Sequence, residues 1–298
     1  MINQFEHWGV PITLEGFDGD HISETIRRTG DFFEPEFLRT VWDYVVTMER
    51  DRRSSVVVDV GAYIGNHTVL FGTFLPVQQV IAVEPNPKAF EVLQRNIAAN
   101  NLGNMVVPYQ CALGSAPGEA GIELGKESNL GHTRITEGND VEVRTLDDIV
   151  PEDKRVSVIK IDVEGAELDV LKGASRLLAE QSPAVFVEVL GQKAHVEVNE
   201  LLRSHGYSLR DYQSLPFNPM FGYFKEGYRD WMGDITLREI RRLFLLDIRP
   251  EKSKERLRAL AEELKNGHGN PGVILTATTT IGAPSPSRRL TFPTRKRK

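Results

Sequence analysis

The chain has 298 residues, of which 40% are hydrophobic and 26% charged, and its formal net charge is −6. This balance allows a substantial buried core and argues against a general nucleic-acid surface, because phosphate binding needs concentrated Lys and Arg. A single cysteine excludes an intramolecular disulfide, and the lack of a secretory signal or a membrane-spanning apolar run predicts a globular cytoplasmic protein.

The N-terminal region shows little regular pattern in its first part. Residues 1–30 read as loop-rich, with several glycine-containing turn signals. Apolar residues from Phe37 onward recur near helical spacing, which predicts a helix that begins close to Pro35. We interpret residues 1–50 as a helical and loop region that packs on the main domain, residues 51–235.

Residues 56–72 predict a buried strand, a glycine turn and a helix. The strand is apolar except for Asp59, which is typical of a strand buried in a parallel sheet. Gly61 and Gly65 mark a tight loop where the backbone can approach a ligand, and the helix from Asn66 offers unpaired N–H groups there. The spacing Asp-x-Gly-x-x-x-Gly differs from the dinucleotide fingerprint Gly-x-Gly-x-x-Gly.

A second strand is predicted from Val80 to Val83, and Glu84 follows it directly. An acidic side chain at that position can accept hydrogen bonds from both hydroxyls of a ribose. Strand, glycine loop and terminal acid together predict a ligand that contains a nucleoside. The alternative is a purely structural strand-helix-strand unit with a solvated Glu84.

The middle of the chain continues the alternation of helix and strand. The turn at Pro85 begins a predicted helix that ends near Gly103, and residues 105–109 form the next predicted strand. Cys111 follows, and we interpret it as a small buried residue rather than a nucleophile. Segment 114–138 is rich in glycine and polar residues, so we interpret it as a hairpin or a mobile excursion over the site.

Carboxylates accompany the ends of two further predicted strands. Asp162 and Glu164 follow the apolar strand 156–161, and Glu188 interrupts the apolar strand 184–189. Ligands of open α/β sheets bind outside the carboxyl ends of the strands, and an unpaired buried charge costs several kcal/mol. These three acids are therefore candidates for a functional site.

The C-terminal third carries weaker signals. A helix is predicted from His195 to His205, and the aromatic sequence from there to Trp231 reads as loop-rich. Residues 236–265 form a predicted charged helical extension, and residues 266–298 a predicted disordered basic tail. Peripheral contact of that tail with an acidic surface or a membrane is the alternative.

Four motifs in this order resemble the FkbM family of S-adenosylmethionine-dependent methyltransferases. They are Asp-Val-Gly-Ala-Tyr-Ile-Gly (59–65), Val-Glu-Pro (83–85), Ala-Leu-Gly (112–114) and Ile-Lys-Ile-Asp-Val-Glu-Gly-Ala-Glu (159–167). The resemblance covers residues 32–190, and the combination is specific although each motif alone is not. It implies an α/β, Rossmann-like class I methyltransferase fold, with helices on both faces of a mostly parallel sheet of seven strands, the last antiparallel.

The resemblance also implies an activity and a set of site residues. It implies S-adenosylmethionine as cofactor and methyl transfer to a hydroxyl of a sugar, a glycan or a secondary metabolite. The loop glycines would pass under the methionine part, Glu84 would hold the ribose, and Asp162 would face the reacting centre. Tyr63 stands where the family usually has Asn. The cofactor candidates are Glu34, Asp59, Gly61, Ala62, Tyr63, Gly65, Asn66, Glu84, Pro85, Asn86, Ala112 and Asp162.

Methyl transfer to an alcohol calls for a general base, which typically adds ~10²–10⁴-fold to the rate. Asp162 is the first candidate for this base or for positioning the hydroxyl, and Glu164 and Glu188 come next. In the alternative, Asp162 only binds the cofactor and Glu164 caps the following helix. Asp162 and Glu188 could also bind a magnesium ion jointly, although a metal is not expected. The sequence lacks a dedicated His/Cys cluster, which favours magnesium over zinc.

Two other functions stay open from the sequence. An NAD-dependent oxidoreductase fits the strand, the glycine turn and Glu84, but the dinucleotide fingerprint is missing. A methyltransferase fold without catalysis would serve as a binding protein, although retention of Gly61, Gly65 and Asp162 argues against it. No residue names the acceptor or the oligomeric state, and acceptor specificity could lie after Gly206.

Overall fold

The computed structural model describes residues 1–48, 55–125, 131–189, 191–214 and 219–225. The strands in this part of the chain are β1 (Ile2–His7), β2 (Val10–Glu15), β3 (Ser55–Val60), β4 (Gln79–Val83), β5 (Val106–Tyr109), β6 (Ala112–Leu113), β7 (Gly118–Glu123), β8 (Arg134–Arg144), β9 (Arg155–Ile161), β10 (Ala184–Glu188), β11 (Tyr207–Ser214) and β12 (Pro219–Lys225). The helices are α1 (His21–Thr29), α2 (Pro35–Met48), α3 (Asn66–Phe74), α4 (Pro87–Ala99), α5 (Leu146–Ile149), α6 (Glu167–Lys172) and α7 (Gln192–Ser204), with a π-helical turn at Leu177–Gln181.

Seven of these strands form the central sheet, in the order β11-β12-β10-β9-β3-β4-β5. The five strands from β10 to β5 run parallel to one another, whereas β12 is antiparallel to both β10 and β11. Helical crossovers join the parallel strands, because a tight hairpin cannot connect parallel neighbours. The predicted Rossmann-like sheet of seven strands with an antiparallel last strand is thus confirmed.

Apolar side chains cover both faces of the central sheet. In β3, Val56, Val58 and Val60 lie in one hydrophobic core and Val57 lies in the other, because side chains alternate along a strand. Helices α2, α3 and α4 pack on the face that carries Val57, and α5, α6 and α7 pack on the opposite face. Burial of both faces explains why residues 56–60 of β3 are apolar except for Asp59.

The first 30 residues form a hairpin and a helix, so the loop-rich prediction for this segment is wrong. Strands β1 and β2 pair through a turn at Trp8 and Gly9, both of which have positive φ. The inward side chains of β1 include Asn3 and His7, which are polar although they are buried. An apolar alternation is therefore missing from the sequence of β1, and periodicity could not reveal the strand.

Asn96 of α4 and Asn100, the C-cap residue of α4, dock this hairpin onto the domain. The side chain of Asn96 accepts the Glu15 N–H at 2.6 Å and donates to the Glu15 carbonyl at 2.8 Å. Asn100, one helical turn later, accepts the Thr13 N–H at 3.0 Å and donates to the Thr13 carbonyl at 2.7 Å. The two amides satisfy backbone groups that an edge strand would otherwise leave exposed, and they hold the N-terminal region in place.

Segment 114–138 is a hairpin where it is described, as one of the two sequence interpretations predicted. Strands β7 and β8 are antiparallel, and β6 joins β8 to complete a small three-stranded sheet. Ala112, Ala120 and Val141 form its own apolar core. The hairpin places residues 131–135 beside the carboxyl edge of the central sheet.

Beyond Gly206 the described residues form two strands, so the loop-rich prediction is wrong for 207–214 and 219–225. Tyr223 of β12 is fully buried beside β10. Pro216 and Asn218 stand between the strands in the sequence and interrupt any apolar pattern. The predicted helical extension 236–265 and basic tail 266–298 lie outside the described residues. Within the described ranges no helix combines the length and the apolar character that crossing a membrane requires.

Candidate functional site

A cavity of about 470 Å³ lies at the carboxyl ends of the central strands. Its floor comes from the ends of β3, β4, β9 and β10, and α1, α3 and the β7–β8 hairpin supply its walls. Most of the site residues predicted from the sequence line this cavity, namely Glu34, Gly61, Ala62, Tyr63, Asn66, Glu84, Pro85, Ala112, Asp162, Glu164 and Glu188. Parallel strands bring these residues together because their carboxyl ends meet at one edge.

Asp59, Gly65 and Asn86 lie next to the cavity without lining it. Asp59 is fully buried beneath the floor, and Gly65 occupies the N-cap position of α3 with φ of 86°. The Asn86 side chain caps α4 by accepting the Lys88 N–H at 3.0 Å. These three residues lie behind the residues that line the cavity. A direct contact between them and the cofactor stays a prediction.

The loop after β3 makes backbone contacts that only glycine permits at position 61. Gly61 has φ of 74°, and its N–H and that of Ala62 both donate to the Val83 carbonyl at 3.0 Å. A Cβ on Gly61 would lie 1.7 Å from the carbonyl oxygen of Asp162. Glycine therefore allows the loops after β3 and β9 to touch, and it joins both to the end of β4.

Glu84 directs its carboxylate from the end of β4 towards that loop. One oxygen accepts the Tyr63 N–H and the other accepts the Asn86 N–H, each at 2.8 Å. Burial raises the pKa of Glu84 to about 7, against the lowering effect of these two hydrogen bonds. Each oxygen keeps a further lone pair, so the group can still accept hydrogen bonds from a diol.

Three cavity residues have a left-handed backbone conformation, which residues other than glycine rarely adopt. They are Tyr63, Glu34 and Glu164. Their φ angles are 51°, 56° and 54°, and all three residues line the cavity. Strained residues of this kind cluster at functional sites. Asn tolerates this conformation better than most residues, so Asn and Tyr63 can serve the same turn. The Tyr63 ring also lies 6.0 Å from that of Phe17, between ring centroids.

Lys160 is a buried cation that sequence analysis did not select. Its Nζ lies 3.2 Å from Asp59 and 3.5 Å from Asp162, and it donates to the Gly61 carbonyl at 3.1 Å. Burial alone would lower the pKa of Lys160, but the charges of Asp59 and Asp162 outweigh it and raise the pKa. The sequence did contain a signal for this ion pair, since each of two buried strands carries one charged residue and the two charges have opposite signs. In the sheet these residues, Asp59 and Lys160, lie opposite each other in the strand register.

Glu34, His67 and Glu188 form one side of the cavity, which we call the β10 wall. Burial and then the charge of Asp162 raise the pKa of Glu188 to about 9. The charge of Lys160 acts in the opposite direction but is the smaller effect. Oε2 of Glu34 lies 3.8 Å from Nε2 of His67. Burial and then the charge of Lys160 lower the pKa of His67. At neutral pH, Glu188 is therefore a protonated carboxyl group and His67 is uncharged.

His132 is a second cavity residue that sequence analysis missed. It comes from the β7–β8 hairpin, and its Nδ1 lies 3.0 Å from Oε1 of Glu164. Burial raises the pKa of Glu164, and the charge of His132 opposes that effect. No sequence spacing signals this pair, because a hairpin and a strand end bring it together. Glu164 does not cap α6 as the alternative proposed, since the N-cap is Ala166 without a side-chain cap.

The N-terminal region, rather than the residues after Gly206, closes the cavity in the described structure. His21, Ile22, Phe33 and Glu34 line it, whereas the described residues after Gly206 do not. The reason is that β11 and β12 lie beyond β10 at the edge of the sheet. Asn66 fixes the N-terminal wall, because its side chain both accepts from the Phe33 N–H and donates to the Phe33 carbonyl at 2.9 Å.

Cys111 and the carboxylates offer little metal-binding chemistry. Burial raises the pKa of the Cys111 thiol to about 11, which fits a buried residue rather than a nucleophile. Within the described part of the chain, no group of three or more His, Cys, Asp or Glu side chains is placed to hold a metal ion. Asp162 faces Lys160 and Glu188 is protonated at neutral pH, so this pair is a poor magnesium ligand set as it stands.

The raised pKa of Glu188 predicts a loss of stability at alkaline pH. Between about 4.3, the ordinary pKa of Glu, and about 9 the folded state holds a proton that the unfolded state releases, so stability falls as pH rises. We expect the free energy of unfolding to fall less in Glu188→Gln than in the wild type between about pH 7 and 9. Urea denaturation at both pH values checks this, and parallel slopes for the two proteins would contradict it.

A family model and several known proteins match part of this chain. The family model of the methyltransferase FkbM domain matches residues 59–209. The chain is 30% identical to Methyltransferase 1 of Beauveria bassiana (strain ARSEF 2860), across 52% of this chain and 73% of that protein. It is 28% identical to the hexuronic acid methyltransferase AglP of Haloferax volcanii, across 60% of this chain and 74% of that protein.

A solved structure shares the likeness at lower identity. The crystal structure of methyltransferase FkbM from Methylobacillus flagellatus KT is 21% identical, with a TM-score of 0.42 and coverage of 64% of this chain. The match spans 50% of that crystallised chain. The family model covers half of the present chain, including the Gly61 loop, Glu84 and the end of β9. The chain therefore belongs to the FkbM methyltransferase family.

Proposed function

We propose that the chain is an S-adenosylmethionine-dependent methyltransferase that methylates a hydroxyl group. The observation that carries this proposal is the place of Glu84, a buried carboxylate at the end of β4, beside the Gly61 loop and in the cavity lining. A carboxylate at this position suits the two hydroxyls of a ribose. A cavity of about 470 Å³ also falls within the range of small-molecule sites.

The residues around the cavity fit this cofactor. Glu84 has lone pairs left for the ribose, and the Gly61 loop with the first turn of α3 would lie under the methionine part. Pro85 and Ala112 offer apolar surface of the kind that an adenine ring packs against. When bound, S-adenosylmethionine supplies a methyl group on a positively charged sulfur. Asp162 follows β9, the strand next to β3 in the sheet, and there it would position the acceptor.

His132 is the best-placed base for the acceptor hydroxyl. Asp162 is ion-paired with Lys160, and burial raises the pKa of Glu188 to about 9, so we do not assign the base to either of them. Glu164 engages Nδ1 of His132, which leaves Nε2 for the substrate, and its carboxylate would stabilise the imidazolium. In this proposal Nε2 of His132 would accept the hydroxyl proton as the hydroxyl oxygen is methylated. Bound S-adenosylmethionine would supply the methyl group and would keep the electron pair of its carbon–sulfur bond as S-adenosylhomocysteine.

A sugar, a glycan or a hydroxylated secondary metabolite is the proposed acceptor class. The name of the relative AglP, a hexuronic acid methyltransferase, supports a carbohydrate. Calorimetry with S-adenosylhomocysteine against NAD separates this proposal from an oxidoreductase. A chain that binds S-adenosylhomocysteine but methylates no hydroxylated acceptor would be a binding protein instead.

Replacing Glu84 tests the cofactor site. We expect Glu84→Gln to weaken S-adenosylmethionine binding by about 1.5–3 kcal/mol, because the charge-assisted hydrogen bonds to the ribose are lost while the shape remains. Glu91→Gln is the matched control, since Glu91 lies on α4 with a largely exposed side chain. Calorimetry measures the affinity and circular dichroism the fold. An unchanged affinity in folded Glu84→Gln would remove Glu84 from the site and take away the proposal's main support.

Replacing His132 tests the base. We expect His132→Ala to lower kcat by ~10²–10⁴ with little change in S-adenosylhomocysteine affinity, because only proton transfer is lost. The limb of the pH–rate profile that reports the base should disappear in this variant. The other charged groups around the His132–Glu164 pair are Asp162, Glu167 and Arg134. His195→Ala is the control, since His195 faces Tyr223 outside the cavity. Wild-type turnover in His132→Ala would return the role to Asp162, with Asp162→Asn as the next variant.

A further inference from the structure

Acidic residues outnumber lysine and arginine in the cavity lining. They are Glu34, Glu84, Asp162, Glu164 and Glu188, of which Glu188 is protonated at neutral pH, whereas Lys160 is the one lysine and no arginine occurs among the described lining residues. Lys160 is already engaged, because its Nζ forms ion pairs with Asp59 and Asp162 and donates a hydrogen bond to the Gly61 carbonyl. An incoming ligand therefore meets a negatively charged surface without an uncommitted lysine or arginine.

The histidines do not reverse this balance. His132 is paired with Glu164, and burial keeps His67 neutral at pH 7. The ring of His21 packs edge-on against Phe33, with centroids 6.0 Å apart. None of these three rings is placed as an uncommitted cation for a ligand anion.

The pKa of Glu188 shows how this part of the cavity affects a carboxyl group. It is 8% exposed, and its pKa is raised first by burial and then by the charge of Asp162, with Glu34 and Glu164 acting in the same direction. The nearby Lys160 is too weak to compensate. A ligand carboxylate placed beside the β10 wall would experience the same burial and the same neighbours, so its binding would be penalised.

The β10 wall nevertheless has polar groups that can bind a ligand, and one atom of His67 lacks a hydrogen-bond partner within the described part of the chain. The His67 side chain is 9% exposed, and its Nε2 has no hydrogen-bond partner among the described residues. Protonated Glu188 can donate a hydrogen bond, and the carboxylate of Glu34 can accept one. A hydroxyl group both donates and accepts, so neighbouring hydroxyls of a ring satisfy this wall without bringing a charge.

We infer that the acceptor binds against the β10 wall through uncharged hydroxyl groups and that the site discriminates against acceptors with a carboxylate on the methylated ring. This inference rests on the proposed methyltransferase function and narrows its substrate class to neutral polyhydroxylated rings. It also separates the chain from its relative AglP, whose name specifies a hexuronic acid. Uronic acids are therefore the informative counter-substrates.

Matched sugars of three kinds test the inference. Methyl glucoside, galactoside and mannoside are each compared with the corresponding uronic acid and uronamide, because the amide keeps the shape of the acid without its charge. Methyl transfer from labelled S-adenosylmethionine gives kcat/KM, and calorimetry on protein saturated with S-adenosylhomocysteine gives affinity without turnover. We expect the uronamide to exceed the uronic acid by at least ~10-fold in both readouts, since a like charge is removed.

The possible results distinguish failure of the proposed discrimination against carboxylates from failure of the proposed methyltransferase function. Transfer to uronic acids equal to or above that to their amides would overturn the inference while the methyltransferase function stands. Failure of every sugar in both readouts would contradict the proposed function in its carbohydrate form, and the inference with it. The variant Glu34→Gln should reduce the preference for amide over acid at least ~3-fold, because one carboxylate leaves the wall. An unchanged ratio, with Glu91→Gln as control, would contradict the role of the wall.

Discussion

Gly61→Ala is expected to destabilise the fold by about 3–5 kcal/mol and to abolish cofactor binding. The methyl group would lie 1.7 Å from the Asp162 carbonyl oxygen, which is backbone and cannot rotate away. The residue must also hold φ of 74°, a conformation that costs alanine about 1–2 kcal/mol. Relief of the clash would separate the loops after β3 and β9, on which the cavity floor depends.

Two other glycines provide graded controls. Gly65 also has positive φ, but its added Cβ would meet the end of the flexible Leu93 side chain at 2.6 Å, so Gly65→Ala should cost about 1–2 kcal/mol. Gly103→Ala meets no atom within 4 Å and should be nearly neutral. Urea denaturation gives the stabilities and calorimetry the affinities. A Gly61→Ala variant as stable as Gly103→Ala would show that the two loops are not in contact in solution.

Lys160→Met is expected to destabilise the protein by about 3–5 kcal/mol, because it leaves the buried Asp59 without its counterion. Methionine fills a similar volume, so the loss reports charge rather than a cavity. Asp162 would also lose its partner and move, so S-adenosylmethionine turnover should fall together with stability. Thermal and urea unfolding at neutral pH measure the first effect, and methyl transfer measures the second.

The double variant Asp59→Asn, Lys160→Met isolates the ion pair. Removing both charges should recover a large part of the lost stability, because an uncompensated buried charge costs more than a neutral pair. Thr68 still donates a hydrogen bond to the side chain at position 59, as it does to Asp59 at 2.6 Å. A double variant no more stable than Lys160→Met would contradict the claim that the orphaned carboxylate causes the loss. Lys172→Met, at an exposed pair with Asp169, is the surface control.

The central sheet was predictable from sequence because its strands are buried on both faces. β3, β4 and β9 appear as mainly apolar runs that are followed by glycine or an acidic residue, and each lies within two residues of its predicted position. The polar exceptions inside these runs are Asp59 in β3 and Ser157 and Lys160 in β9. β1 escaped prediction because its inward positions include Asn3 and His7, which are buried through contacts with other elements. His7, for example, lies 2.6 Å from Asp31 at the end of α1.

The residues that meet at the carboxyl edge follow from the sequence, since a parallel sheet places Gly61, Glu84 and Asp162 there once the strands are known. The chemical roles of the groups at that edge depend on how the chain folds around them. Glu188 becomes a neutral donor, and His132 acquires Glu164 as a partner, through neighbours supplied by other strands and by a hairpin. The physical reason is that a pKa depends on burial and on nearby charges, which are properties of the folded surroundings and not of the local sequence.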